Sequence, residues 1–243
     1  MLTQSVQDDY QFLDTPGDPK TLSGDNIYGF LFSPSARGSS ATFGVDLVKR
    51  FGGTTFVRGL SERISFETTT AANWIWRRIV FSMKGDAVRG QFPPGTLEFA
   101  ASSEGQTRTA WNFLSPNDPD GNIGRDALEE YLFQGERGTD WNDRYSAKVA
   151  RNRVTVWSDF TRQLRSQNSA GVWHNIKLWH PFNKNIVYDQ HEEADEKQDN
   201  KWSVQGKAGI GDIYVLDYFS CANGVIGDVA ELGYSSTYYW HER

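Results

Sequence analysis

Residues 53–85, GTTFVRGLSERISFETTTAANWIWRRIVFSMKG, decide the fold of this chain. In each half of the stretch four apolar side chains share one parity, which is the period-2 pattern of a half-buried strand. They are Phe56, Leu60, Ile64 and Phe66 in the first half, and Ile75, Ile79, Phe81 and Met83 in the second. Residues 70–73 form a polar break, and the β-branched and aromatic content suits a pleated surface. The stretch therefore predicts two long strands.

Three charged residues share the parity of these apolar side chains. Arg58 and Glu62 lie on the apolar parity of the first strand, and Arg77 lies on that of the second. A charge that is buried in a protein core needs a partner of opposite sign. We therefore expect Glu62 to pair with Arg58 or Arg77, across the strands or at a sandwich edge. The alternative is that all three side chains lie at strand ends and reach water.

Length, charge and composition favour one large β domain. The chain has 243 residues, which suffices for a sizeable core, and no Pro-, Ser- or Gly-rich linker divides it. With 25 basic and 31 acidic residues the net charge is −6, so the chain as a whole is not a polyanion binder. The single Cys221 excludes a disulfide framework within the chain. No apolar run approaches the ~20 residues of a membrane span, so we expect no membrane partner.

Strand-like segments recur along most of the remaining sequence. They cover residues 26–32, 42–51, 145–160, 171–179, 211–221 and 234–241. Residues 86–124 resemble a loop because prolines punctuate them, and residues 126–133 have the apolar spacing of one short helix. About eight strands with one helix predict an all-β fold, namely an eight-stranded antiparallel jelly-roll β-sandwich with long loops.

The most polar segment, residues 189–200, carries six carboxylates. Charge runs without apolar periodicity are usually solvated loops, which is the interpretation we favour. A cation-binding or receptor-binding loop is the alternative.

No catalytic motif stands out. The four histidines lack the spacing of zinc ligands, and the Gly-x-Ser-x-Gly elbow of serine hydrolases is absent. Residues 118–122 resemble the start of a calcium loop, but Ile123 occupies the position that requires glycine. Glu193, Asp195 and Glu196 have near-suitable spacing for a glycosidase pair, but no apolar strand flanks them. We therefore expect a protein that is not an enzyme and has no metal or cofactor.

Arginines among aromatic and β-branched residues suggest nucleic-acid contacts in residues 151–165. Arg151 and Arg153 share parity with Trp157, and Arg162 and Arg165 follow. Arginine neutralises phosphates and aromatic rings stack on bases, which is how proteins hold single-stranded nucleic acid without reading its sequence. These five residues are our predicted nucleic-acid-binding set. The alternative is that the arginines are solvated strand or interface residues.

Several ordered segments resemble the capsid proteins of genomoviruses, the geminivirus-like viruses with small circular single-stranded DNA genomes that are associated with fungi. The resemblance covers nearly the whole chain from residue 26 onward, although no single segment is a mechanistic motif. The matching segments are 55–62 (TFVRGLSE), 74–81 (WIWRRIVF), 133–135 (FQG), 140–143 (DWND), 179–185 (WHPFNKN) with 187–189 (VYD), 206–209 (GKAG) with 211–216 (GDIYVL), and 239–243 (YWHER).

The resemblance implies a structural capsid protein without catalysis. It implies a jelly-roll domain over residues 26–243 that self-assembles into an icosahedral T=1 shell of identical subunits around a single-stranded DNA genome. The implied locations are the virion and, during assembly, the host nucleus. Members of the family begin with an arginine-rich arm, whereas residues 1–25 of this chain are not strongly basic. We therefore expect residues 1–25 to be an ordered remnant of that arm.

A β-sandwich carbohydrate-binding module is the alternative function. The nine tryptophans would permit it if several lay exposed in a row as a platform for sugars. A jelly-roll hydrolase is a third possibility, but it needs a cleft with paired carboxylates.

Overall fold

The structure, a computed structural model, describes residues 2–7, 19–38, 49–102, 105–115, 119–166, 170–190, 192–193, 196–197 and 200–242. Over these residues the chain forms two packed β-sheets, a short two-stranded ladder and one α-helix. The predicted all-β sandwich with one helix is therefore confirmed.

The strands, in chain order, are β1 (Leu2–Gln7), β2 (Lys20–Ser23), β3 (Ile27–Phe32), β4 (Thr54–Thr68), β5 (Asn73–Met83), β6 (Phe99–Ser102), β7 (Gly105–Trp111), β8 (Thr155–Leu164), β9 (Trp173–Val187), β10 (Glu192–Glu193), β11 (Glu196–Lys197), β12 (Asp212–Ala222) and β13 (Val229–Glu242). The helix α1 (Pro119–Leu132) lies between β7 and β8 in the sequence.

The two sheets divide these strands unequally. The large sheet has seven strands in the order β6-β7-β1-β13-β4-β9, and β2 pairs with the first residues of β13. The small sheet has the order β3-β12-β5-β8, with every pair antiparallel. Strands β4 and β5 follow each other in sequence but belong to different sheets. The segment 53–85 therefore joins the two layers of the sandwich.

The inward face of β4 changes parity at a β-bulge. The pairing of β4 with β9 shifts between Val57 and Gly59, so that odd-numbered residues point inward before the bulge and even-numbered residues point inward after it. Leu60 and Ile64 are buried as predicted, but Phe56 is only half-buried because it precedes the bulge. One extra residue in a strand reverses the face of everything beyond it.

Strand β5 is buried on both faces. Trp74 and Trp76 pack inward against Phe66 of β4 and complete the core between the sheets. Ile79 and Phe81 share a second core with Leu128 of α1, on the other face of the small sheet. The predicted apolar parity of β5 is therefore real, but it is the face that the helix covers.

Several predicted boundaries are wrong. The helix begins at Pro119, seven residues earlier than the 126 that we predicted, because proline is well suited to a first helical turn. The expected loop at residues 86–124 also contains β6 and β7. Residues 151–153 form a turn, and β8 begins only at Thr155.

Two segments within residues 1–25, β1 and β2, belong to the large sheet. Strand β2 pairs with β13 from Lys20 to Ser23, and its Leu22 is fully buried. The sandwich therefore includes residues before residue 26. The sequence did not reveal β2 because a four-residue strand is too short to show a clear period. Residues 8–18 lie outside the described part, as do residues 42–48 of the strand predicted at 42–51. In the acidic segment, β10 and β11 form an antiparallel ladder.

Candidate functional site

Cations and aromatic rings occupy the outward face of three neighbouring strands, β9, β4 and β13. We call this surface the outer patch and define it by Arg58, Arg63, Lys177, Trp179 and Tyr239. All five side chains are exposed. Cross-strand partners share a face, and the register places Lys177 opposite Arg63 and Trp179 opposite Ser61. Two residues further along the strands, Tyr239 of β13 lies opposite Gly59 of β4.

Gly59 allows the two rings of the outer patch to meet across the central strand. The ring centroids of Trp179 and Tyr239 are 5.8 Å apart and their planes differ by 63°. A Cβ atom at Gly59 would lie 2.7 Å from the ring carbons of Trp179 and 2.6 Å from the carbonyl oxygen of His180. A side chain at this position would therefore displace the indole. Trp179 is 51% exposed and Tyr239 is 47% exposed, so half of each side chain faces solvent.

The cations of the outer patch are not neutralised. Arg63 and Lys177 lie directly opposite each other, a like-charge pair that destabilises the sheet locally. The structure shows no ion pair from Arg58, Arg63 or Lys177 to any residue it describes. Arg58 instead donates from Nη1 to Oδ1 of Asn183 at 2.5 Å. The nearest outward neighbours are neutral: Ser61, Ser65, Ser235 and Thr237.

A shallow depression adjoins the two rings. Its volume is about 610 Å³, and its lining includes Arg58, Ser61, Trp179, Tyr239 and His241. It combines aromatic faces, hydroxyl groups and a guanidinium group. This set can stack against planar groups and attract anions.

A buried charge cluster of two acids and two bases lies between the two sheets. We call it the core cluster and define it by Glu62 of β4, Arg78 of β5, Arg108 of β7 and Asp217 of β12. None of the four side chains is more than 1% exposed. Arg78 binds both carboxylates: its Nη1 is 2.5 Å from Oε2 of Glu62, and its Nε and Nη2 are each 2.7 Å from an Asp217 oxygen.

Neutral donors and the second arginine complete the core cluster. Arg108 lies 3.4 Å from both carboxylates. The remaining donors are Trp76 and Tyr234, which donate to Asp217 at 2.8 Å and 3.0 Å, and Ser236, which donates to Glu62 at 3.2 Å. Nε2 of His180 is 3.5 Å from Glu62. Opposite charges are balanced and hydrogen-bonded, which is the condition for keeping them in a core.

The pKa of Glu62 reflects this environment. Burial alone would raise the pKa, but Arg78, the nearby imidazole of His180 and the charge of Arg108 outweigh it and lower the pKa to about 2. Burial likewise opposes the charge of Arg78, but Asp217 and Glu62 raise its pKa above the ordinary value. Glu62 and Arg78 therefore stay ionised at neutral pH, and their ion pair links the two sheets.

The predicted partners of Glu62 are wrong. Arg58 lies before the β-bulge, so it points outward and is exposed. Arg77 is buried, but it lies on the helix-covered face of β5 and pairs with Asp159 through two 3.0 Å hydrogen bonds. Glu62 pairs instead with Arg78, the next residue along, because that position faces the large sheet. Glu62 is buried and paired, as predicted, but its partner is Arg78 rather than Arg58 or Arg77.

The predicted nucleic-acid-binding residues do not form one surface. Arg151 and Arg153 precede β8 and Arg165 follows it, and a ten-residue strand separates its ends by ~30 Å. Arg153 donates to the carbonyl oxygens of Glu130 and Tyr131 at the end of α1, where it caps the helix. Arg162 lies over the ring of Phe160 at 4.8 Å.

Trp157, the aromatic member of that set, is half-buried and already packs against the sandwich. Its Nε1 donates to Oγ of Ser82 at 3.1 Å, and its ring packs edge-to-face against Phe182 at 5.2 Å. The expected shared parity with Arg151 and Arg153 fails because those arginines lie in a turn.

A second cavity, of about 490 Å³, lies beside the end of α1 and is lined by Asp126, Glu129, Glu130, Glu136, Arg137 and Arg153 among others. Its buried carboxylate, Glu129, accepts a hydrogen bond from Arg144 at 3.0 Å and lies 3.5 Å from Arg137. Glu129 is thus already paired with two arginines. Residues 119–132 form a helix, so the calcium loop that residues 118–122 suggested does not form.

Sequence reasoning missed the outer patch. Trp179 and Tyr239 lay within predicted strands, but their exposure depends on the register of three strands that are far apart in sequence. The usable signal was the outward alternation of Lys177 and Trp179 with the buried His180 and half-buried Leu178. Gly59 in the middle of a strand was a second signal, since such glycines often mark close approach.

The chain matches no protein-family model, and no curated protein matches it significantly. Within the described ranges, no group of three or more His, Cys, Asp or Glu side chains could hold a metal ion. No helix in that part of the chain is long and apolar enough to cross a bilayer.

Proposed function

We propose that this protein is a viral coat protein that assembles with copies of itself into a small closed T=1 shell around circular single-stranded DNA. In this role the chain carries out no reaction and needs no cofactor. Its work is to fold into a rigid unit, to pack against identical units and to retain nucleic acid by non-specific contacts.

The order of the strands is the observation that carries the proposal. Eight principal strands, taken in chain order, are β2, β3, β4, β5, β8, β9, β12 and β13. Numbered one to eight, they give the large sheet the order 1-8-3-6 and the small sheet the order 2-7-4-5. Successive strands therefore lie in opposite sheets, except the fourth and fifth, which are neighbours in the small sheet, and we infer a jelly roll. This fold is common to viral capsid and lectin domains, so it favours both of our functional candidates.

The resemblance to genomovirus capsid proteins favours the coat protein over the carbohydrate-binding module. The difference between the two outer faces of the sandwich also supports the coat protein. The long connection between β5 and β8, with α1 inside it, covers the small sheet. On the outward face of the large sheet, Arg58, Arg63 and Lys177 are exposed and form no ion pair with any described residue. A shell subunit requires such a difference, because one side meets the genome and the other meets solvent.

Particle size tests this proposal. The purified protein is expected to elute as a megadalton species, or as intermediate oligomers if the shell is disrupted, and to show closed isometric particles by electron microscopy. A protein that stays at its 27.5 kDa monomer mass over a wide range of concentrations and ionic strengths would overturn it.

The carbohydrate-binding module remains the second candidate because of one observation, the exposed pair of rings at Trp179 and Tyr239. A platform for sugars needs rings that lie side by side in one plane. The 63° angle between these rings and the surrounding cations fit that purpose less well than they fit an anionic ligand with planar groups.

A further inference from the structure

We propose that the outer patch binds single-stranded nucleic acid, with unpaired bases stacked on Trp179 and Tyr239 and phosphates held by Arg58, Arg63 and Lys177. The assignment rests on the proposed function for the source of the nucleic acid. It replaces the arginines around β8 as the contact surface.

The two rings supply the stacking surfaces. Each is about half exposed, and their planes differ by 63°, so they present separate faces rather than one platform. Gly59 leaves room for the indole of Trp179, which occupies the space that a side chain at residue 59 would fill. Stacking on such rings requires a base with a free face, which a duplex interior does not provide. The outer patch therefore selects single strands.

The cations are placed where the backbone of a stacked strand would run. Arg63 and Lys177 lie two residues along their strands from Ser61 and Trp179, a distance of ~7 Å. Their like charges face each other directly, and a phosphate between them would turn a repulsive pair into an attractive one. Arg58, next to Gly59, is the third cation.

The far end of the same sheet face is a poor site for nucleic acid because its exposed charges are negative. The nearest carboxylates on it are Glu67 and Glu231, which are cross-strand partners at the far end of the strands. There Glu67 also lies opposite Trp173, which is 59% exposed. An exposed tryptophan beside two acids is therefore a matched control for one beside two bases.

Fluorescence anisotropy with labelled oligo(dT) of about 15 nucleotides tests the proposal on the purified full chain. The double variant Trp179→Ala/Tyr239→Ala is expected to bind at least about 10-fold more weakly, since one base–aromatic stack contributes about 5- to 150-fold. Trp173→Ala is expected to bind as the unchanged protein does. A hairpin duplex of the same length is expected to bind more weakly than oligo(dT).

Salt dependence tests the cations separately. Replacing Arg63 and Lys177 with Ala is expected to lower the slope of log affinity against log salt by about 1.4, because each phosphate contact to a single strand contributes about 0.7. Arg162→Ala/Arg165→Ala, which removes two exposed arginines near β8, is expected to leave the slope unchanged. Circular dichroism verifies that each variant is folded.

Three results would overturn the assignment. The first is a folded Trp179→Ala/Tyr239→Ala variant with unchanged oligo(dT) affinity. The second is a change of slope in the Arg162/Arg165 variant alone. The third is binding of a neutral polysaccharide that depends on Trp179 while oligo(dT) binding does not. Particle formation is a separate readout: particles without patch-dependent binding contradict only this assignment, and patch-dependent binding without particles contradicts only the coat function.

Discussion

The inward and outward faces of β4 and its neighbours handle charge in opposite ways. On the inward face, Glu62 meets Arg78 and Arg108 within 3.4 Å and all three side chains are buried. On the outward face, Arg63 meets Lys177, and no carboxylate in the described part of the chain forms an ion pair with either of them. Glu62 and Arg63 are consecutive residues, so the alternation of a strand alone separates a balanced pair from an unbalanced one.

The difference shows which charges serve the fold and which are free for a ligand. A buried charge must be compensated within the protein, so the core cluster is complete in itself. An exposed charge is solvated by water and can remain without a partner at little cost. The outward like-charge pair contributes nothing to the fold and even weakens it slightly, which points to an external anion as its partner.

The largest effect is expected from Arg78→Met. The change leaves Arg108 as the one arginine of the core cluster that faces Glu62 and Asp217, and breaking a buried pair costs about 3–5 kcal/mol. The free energy of unfolding from urea denaturation measures it. The matched outward change, Arg63→Met, is expected to alter stability by less than about 0.5 kcal/mol. Equal losses in the two variants would contradict the distinction between the faces.

The pH dependence of the unfolding free energy tests the buried ion pair of Glu62. The pKa of Glu62 is about 2 in the folded protein and 4.5 ordinarily, so its contribution to stability is fully present above pH 4.5 and is lost as the pH falls towards 2. Such a shift corresponds to about 3 kcal/mol. We expect the difference in unfolding free energy between the unchanged protein and Glu62→Gln to shrink by about that amount between pH 6 and pH 2.5. A difference that does not vary with pH would contradict the pairing.

The smallest effect is expected from Lys177→Glu. It converts the like-charge pair with Arg63 into an ion pair, and cross-strand charge pairs contribute roughly 0.2–1 kcal/mol, so the variant should be slightly more stable. It should also bind oligo(dT) more weakly. Lys177→Gln, which removes the repulsion without adding attraction, should fall between the two in stability. A loss of stability in Lys177→Glu would show that Lys177 has a structural role.

The sequence predicted the sandwich because apolar alternation is strong wherever only one face of a strand is buried. Leu60, Ile64 and Phe66 illustrate this. It failed at Phe56 and Arg58, because the bulge before Gly59 depends on the pairing with β9. It also failed to find Arg78, since β5 is buried on both faces and alternation there does not distinguish one face from the other.

The candidate site was less predictable than the fold for a related reason. Arginines near β8 are close in sequence, but the strand carries them to opposite ends of the sandwich. Members of the outer patch come from three strands and meet only through register. Even Trp157, which the sequence pattern favoured, is half-buried and packs against Phe182. Residues that are close in sequence can be assigned to the same strand or helix. Whether they share one surface of the folded protein depends on contacts between strands that are far apart in sequence.

Photochemical cross-linking identifies the residues that contact single-stranded DNA. Irradiating the purified protein bound to oligo(dT) and mapping the modified peptides by mass spectrometry locates the contact without any substitution. Cross-links are predicted on peptides that contain Trp179 and Tyr239. Cross-links confined to residues 151–165 would contradict the account and restore the arginines around β8 as the nucleic-acid-binding surface.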